Sequence, residues 1–256
     1  MAVKPVHGRF NAPLSLAQLT RGRGWNSELA GFLVPFARQD FVYIEDDFLA
    51  DTLDGTFWEL GTDGGSTAFV WNGISGGAVT GATENSSGDY IQIRGQLTWL
   101  SNKNCGSEIY FKQDAIVTHK MEFGFSDALT DDTLPAINDI DTPSIGNGAT
   151  DVLVIGRDTA QTLTTYSLVG DGTTGATAST AFNTGLVPSV STYYRMLVQC
   201  ATNSGFGVME NQIGLGVSAA NGPDTSVLIR PHFILGTLAS TAIAVDIDYI
   251  RIWQER

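Results

Sequence analysis

From residue 41 onward the chain alternates short apolar runs with clusters of Gly, Asp, Asn, Ser and Thr. The runs are rich in β-branched and aromatic residues and too short for helices, so each predicts a strand. They fall at residues 40–48, 68–71, 90–94, 107–112, 118–125, 151–157, 164–169, 193–199, 227–234 and 244–253. Gly207–Gly214 predicts a hairpin turning at residues 210–212, and Asp54-Gly55 predicts a turn ahead of Phe57 and Trp58. Residues 127–150, with Asp127, Asp131, Asp132, Asp139 and Asp141, predict a long acidic loop. The last run places Val245, Ile247, Tyr249 and Trp253 on one face and Asp246, Asp248, Ile250 and Ile252 on the other. Apolar residues on both faces of its C-terminal half predict a central strand, covered on both sides. The start of the body must then return to meet the end of the chain. No amphipathic helix of useful length follows residue 40, and about a dozen strands at near-regular spacing predict a two-sheet sandwich or jelly roll.

Residues 1–40 break this pattern. Pro5, Pro13 and Pro35 punctuate them, and only short helical turns are expected, at residues 15–19 and 27–30. Yet Phe10, Leu14, Leu16, Leu19, Trp25, Leu29, Phe32, Leu33, Val34 and Phe36 are more apolar than a solvated tail tolerates. An arm of this kind requires a surface to cover, on its own domain or on a partner. Trp and Arg are favoured interface anchors, which makes Arg21, Arg23, Trp25, Phe32 and Phe36 the candidate partner-binding residues.

Charge sharpens the division. The chain carries a formal net charge of −13, split into +3 for residues 1–40 and −16 for the remainder. An acidic body repels nucleic acid and anionic membrane, and neither is an expected partner. No window approaches the ~18 apolar residues of a membrane span, and Met1–Pro5 has no apolar secretory core. Cys105 and Cys200 are far apart in sequence; they pair only if their strands are neighbours, and are otherwise buried thiols. His7, His119 and His232 are isolated, and no Cys/His cluster has metal-ligand spacing, so neither a metal nor a cofactor is expected.

Three pieces, in order, carry a family resemblance: Asp46-Asp47-Phe48-Leu49 with Trp58; Met121–Asp127 followed by Asp151–Asp158; and Val245–Ile252. Together they resemble the concanavalin A-like (laminin-G-like) jelly roll, an all-β sandwich of two antiparallel sheets, in the version found in structural proteins of tailed bacteriophages. The resemblance covers residues 41–256 and leaves the arm outside it. It implies a non-enzymatic virion protein that decorates the exterior of a phage head. The arm would then lie on the major capsid protein or on the next copy. A homotrimer at three-fold lattice positions is likewise implied by the family alone.

The closing motif also resembles the last strand of family 16 glycoside hydrolases, which share the jelly roll. Their catalytic strand carries Glu-x-Asp-x-x-Glu, or a variant one residue longer, on the concave face. No such trio occurs: Glu122 and Asp127 fall on opposite faces of a regular strand, Gly124 stands at the helper position, and Glu108 is followed by Tyr110 and Lys112. Asp246 and Asp248 are expected to cap or pair structurally. No catalytic residue is therefore assigned. The other rival is a module that binds host-surface glycans or a receptor. Trp58, Trp71, Trp99, Tyr110 and Tyr166 are its candidate platforms, and the 127–141 carboxylates, which lack the calcium-loop pattern Asp-x-Asp-x-Asp-Gly, its candidate ion ligands.

Overall fold

The computed structural model describes residues 41–48, 53–73, 77–96, 98–128, 136–140, 144–161, 165–172, 182–183, 188–201, 204–209, 212–214 and 222–256. The strands among them are β1 (Phe41–Asp46), β2 (Trp58–Thr62), β3 (Thr67–Trp71), β4 (Val79–Ala82), β5 (Tyr90–Gly95), β6 (Trp99–Leu100), β7 (Gly106–Gln113), β8 (His119–Ser126) and β9 (Ile137–Asp139). They continue with β10 (Ser144–Ile145), β11 (Val152–Asp158), β12 (Ser167–Asp171), β13 (Phe182–Asn183), β14 (Tyr194–Ala201), β15 (Ser204–Met209), β16 (Gln212–Gly214), β17 (Leu228–Thr237) and β18 (Ala244–Glu255). One 3-10 turn, Ser101–Lys103, follows β6. The first sheet runs β16-β15-β14-β7-β18-β4-β3, with β1 also on β18; the second runs β13-β12-β11-β8-β17-β5-β2, with β6 also on β17. Every pairing is antiparallel. The two sheets face one another across a core that includes Phe111, Ile109 and Ile247 from the first and Met121, Phe123, Phe125, Phe233 and Ile91 from the second. This is the all-β, concanavalin A-like jelly roll expected from the sequence.

The closing strand is central, as its composition predicts. β7 lines one side along residues 245–253; β4 and then β1 share the other, β1 pairing from Phe41↔Glu255 to Asp46↔Ile250. The first described residues of the body thus complete the sheet against the last. The faces differ from strict alternation, however. The ladder to β7 shifts between Ile247 and Tyr249, so Asp248 is an extra residue. Such a bulge reverses side-chain parity. Val245 and Ile247, then Ile250 and Ile252, all point into the core, while Asp246, Tyr249, Arg251 and Trp253 face outward. Asp246 and Asp248 precede the reversal and stay together on the outer face, both within electrostatic reach of Tyr193.

Several short strands escape the apolar-run criterion. β4 is Val-Thr-Gly-Ala, and a Cβ at Gly81 would lie 2.9 Å from Ile91 and 3.0 Å from Phe69, so the strand packs by close approach. In β17, Pro231 occupies an interior strand, where a missing N–H normally breaks a ladder. Here β5 pairs residues 232–236 and β6 pairs 228–229, and Pro231 falls in the gap between them. Its ring sits where a Cβ on Gly95 would be, 2.6 Å away.

Within the acidic loop after β8, the described residues include paired strands that its composition does not predict. β9 and β10 form a small ladder, and Ala136, Ile137, Ile140 and Ala149 pack on Val152, Val154 and Val169. Those valines are on the opposite face of β11 and β12 from Leu153, Ile155 and Leu168, which point into the main core. The segment is therefore a cover over the outer face of the second sheet.

Candidate functional site

The part of that outer face beyond the cover is polar. Alternation along the central strands sends Glu122, Gly124 and Ser126 of β8, Arg230, His232 and Ile234 of β17, Gln92 and Arg94 of β5, and Glu59 of β2 away from the core. The register sets Arg94 opposite His232, His232 opposite Gly124, and Arg230 opposite Ser126. Gln92, Arg94, Ser126, Ala128, Ala136, Arg230, His232 and Ile234 enclose a small recess. Its polar residues are nearly all buried, His232 being the most exposed at 9%. Glu59 Oε2 holds both guanidinium groups, 3.0 Å from Arg230 Nη1 and 3.4 Å from Arg94 Nη2.

Glu122 marks the edge of this recess and is fully buried. Its Oε2 accepts the N–H of Ala136 at 2.8 Å and its Oε1 that of Ile137 at 2.7 Å. His232 Nε2 stands 3.5 Å from Oε2. The carboxylate thus terminates the cover's backbone. Gly124 has a positive φ of 151°, and a Cβ there would lie 2.2 Å from the Leu153 carbonyl oxygen, so close approach of β11 demands glycine.

Glu108 lies on the outer face of the other sheet. It accepts the Tyr249 hydroxyl at 2.7 Å and Arg251 Nη1 at 3.0 Å, with Arg195 Nε at 3.5 Å. Burial raises the Tyr249 phenol pKa, and the negative charge of Glu108 raises it further. Arg251 also reaches Glu45 at 2.7 Å, and Asp246 pairs with Lys112 at 3.1 Å. Beside this network Tyr110 stacks between Tyr193 and Tyr249, with centroids 4.8 and 5.7 Å away. Two glutamates on opposite outer faces of a sandwich cannot flank one glycosidic bond, which requires carboxyls about 5–10 Å apart.

The residues singled out by sequence fare unevenly. Arg21, Arg23, Trp25, Phe32 and Phe36 lie outside the described residues, as do Asp131, Asp132 and Asp141. Trp58, Trp99 and Tyr166 are core residues rather than platforms; Trp71 is 40% exposed, and Tyr110 belongs to the tyrosine stack. Asp127 binds Thr150 and the Asp151 N–H, closing the ends of the covering segment. Among the described residues no group of three or more His, Cys, Asp or Glu could hold a metal ion. Asp46 of the opening motif accepts the Phe48 N–H at 2.9 Å and the Trp58 indole N–H at 2.7 Å, so the motif is a structural clamp. The recess was missed. Its sequence signal is the period-2 spacing of Gln92 and Arg94, and of Arg230 and His232, inside runs that are otherwise apolar.

Fold and register define the class: a concanavalin A-like jelly roll with a partly covered outer face on its second sheet. Similar solved structures include a β-glucanase of Bacillus licheniformis, with TM-score 0.55, 13% identity, and coverage of 84% of this chain and 98% of that one. They also include the Emp47p carbohydrate recognition domain, with TM-score 0.55, 12% identity, and coverage of 85% and 98%. A third is a pseudo β-1,3-glucanase and immunostimulatory antigen of Mycobacterium tuberculosis, with TM-score 0.55, 9% identity, and coverage of 83% and 98%. At these identities the likeness is one of fold. No family model and no curated protein matches the sequence.

Proposed function

We propose that the chain is a non-enzymatic structural protein of a tailed-phage particle, a decoration protein on the head exterior. The jelly roll faces outward, and residues 1–40 attach to the major capsid protein or to a neighbouring copy. The observation that carries the non-enzymatic part is Glu122: the central carboxylate of the second sheet's outer face is buried under the cover and bonded to two backbone amides. A group so held is not exposed to a substrate, and among the described residues no second carboxylate pairs with it. The phage assignment is supported by the opening and closing motifs, and the attachment by the charge split between a +3 arm and a −16 body. Burying the arm's apolar side chains at ~25 cal/mol per Å2 would bridge capsomers, and a trimer would add avidity.

The test is co-sedimentation of the full chain and of residues 41–256 with heads lacking the protein. The full chain is expected to pellet with the heads and the truncated body to stay in solution. Equal attachment of both would remove the arm from the proposal, and hydrolysis of a β-glucan by the purified protein would overturn the non-enzymatic part.

A second reading, a glycan-binding module, is favoured by the polar recess around Arg94, Arg230 and His232.

A further inference from the structure

We infer that this recess binds the carboxylate of an acidic sugar residue, a uronate, with a neighbouring sugar hydroxyl donated to His232. The inference rests on the glycan-binding reading and names its ligand class.

The recess is built by rigid central strands. Gln92 and Arg94 come from β5, Arg230 and His232 from β17, and Ser126 from β8, so their spacing is set by ladder register. Arg94 is 4% exposed and Arg230 7%. Burying a guanidinium is strongly unfavourable unless it is paired and hydrogen-bonded. Glu59 meets Arg230 at Nη1 from the β2 side, but Arg230 Nε has no partner among the described residues. Ser126 Oγ accepts the Ala128 N–H at 3.0 Å, which leaves its O–H to donate. The recess therefore offers donors, and its two guanidinium groups share the one carboxylate of Glu59 while Glu122 is held by backbone amides, which suits a planar oxyanion.

His232 adds the opposite capacity. Its Nε2 faces Glu122 Oε2, so the carboxylate favours the proton on Nε2. Nδ1 is then an acceptor, and it too has no partner among the described residues. A carboxylate alone would satisfy Arg230 and Ser126 and leave His232 unanswered. A uronate supplies the carboxylate and, on the same ring, a hydroxyl. A neutral hexose supplies hydroxyls but no second anion beside Glu59, whose one carboxylate the two guanidinium groups share. The acidic body does not forbid this: at physiological salt the screening length is about 8 Å, and a contact inside the recess is shorter than that.

The experiment is calorimetric titration of the full chain at 0.15 M salt with trigalacturonate, its methyl ester, a sulfated neutral trisaccharide and a tri-aspartate peptide. Trigalacturonate is expected to bind, and the other three at least tenfold more weakly. In Arg230→Gln, affinity for trigalacturonate should fall at least tenfold while the melting temperature records whether the fold is kept. The methyl-ester arm makes the same test without any mutation. No binding of trigalacturonate would overturn the inference. Equal binding of the methyl ester would also overturn it and leave the neutral-glycan reading standing. Equal binding of the sulfated sugar or the peptide would overturn the assignment to a sugar carboxylate.

Discussion

Glu122 Oε2 accepts the backbone N–H of Ala136 at 2.8 Å, and the same carboxylate takes the N–H of Ile137 at 2.7 Å. This fully buried glutamate joins the second sheet to the segment that covers it. Hydrogen bonds to a charged group contribute about 1.5–3 kcal/mol each, and leaving buried N–H groups unsatisfied adds to the loss. Glu122→Ala is expected to destabilise the protein by about 3 kcal/mol or more in urea unfolding. Hydrogen exchange at Ala136 and Ile137 should accelerate more than at Phe123 and Phe233. Uniform acceleration would mean that the cover opens only with the whole fold.

Asp46 and Trp58 form a second such tie. The Asp46 carboxylate holds the Trp58 indole and the Phe48 amide at once, fixing the turn out of β1 to the start of β2. Asp46→Ala should cost about 1–3 kcal/mol, and Trp58→Phe, which loses the donor and part of the buried ring system, about 1–3 kcal/mol. A double-mutant cycle is expected to return a coupling energy of at least ~0.5 kcal/mol. Additive losses would show that the two act independently.

How far the sequence reveals this architecture depends on which residues carry the signal. β18 and β8 were legible because β-branched and aromatic runs survive tertiary context. The turn at Asp54-Gly55 was legible because the Asp54 carboxylate accepts the Thr56 N–H locally, at 2.9 Å. The bulge at Asp248 was not: one extra residue leaves composition unchanged while reversing every later side chain. Strict alternation therefore sets Ile250 and Ile252 opposite Val245 and Ile247, whereas the bulge puts all four on one face. The covering segment was illegible for a different reason. Its apolar residues, Ala136, Ile137 and Ile140, are sparse among acidic ones, and they gain shelter only from Val152, Val154 and Val169. Glu122 carries no mark in sequence either, since its partners are backbone amides.

His119 makes acid stability titratable. It is fully buried, with Nε2 3.3 Å from both Arg157 Nη1 and Gln113 Nε2. Burial first, and then the Arg157 charge, push its pKa down to about 3. The unfolded chain holds a histidine of pKa about 6.5, so between those values it binds more protons than the native state. The stabilisation is complete above pH 6.5 and is lost as pH falls toward 3, at up to about 1.4 kcal/mol per pH unit. From pH 7 to 5 the loss from this group is about 2 kcal/mol. Unfolding curves of wild type and His119→Gln should differ in pH slope by that amount. Parallel slopes would assign the acid sensitivity to other groups.

Cys105 and Cys200 turn out to be cross-strand neighbours. The Cys200 N–H bonds the Cys105 carbonyl at 2.8 Å, one step beyond the Gln199↔Gly106 pair that joins β14 to β7. Both are free thiols with no exposed surface, and burial followed by the hydrogen bond to Cys105 raises the Cys200 pKa. A buried, protonated thiol is a poor nucleophile. Iodoacetamide at pH 8 is therefore expected to leave both unmodified in the native protein and to label two sites per chain in denaturant without reductant. Labelling that appears in denaturant only after reduction would show that the pair is a disulfide. Rapid labelling of the native protein would mean that β14 separates from β7 near Cys105, which the core contacts of Val198 and Ile109 on the same strands oppose.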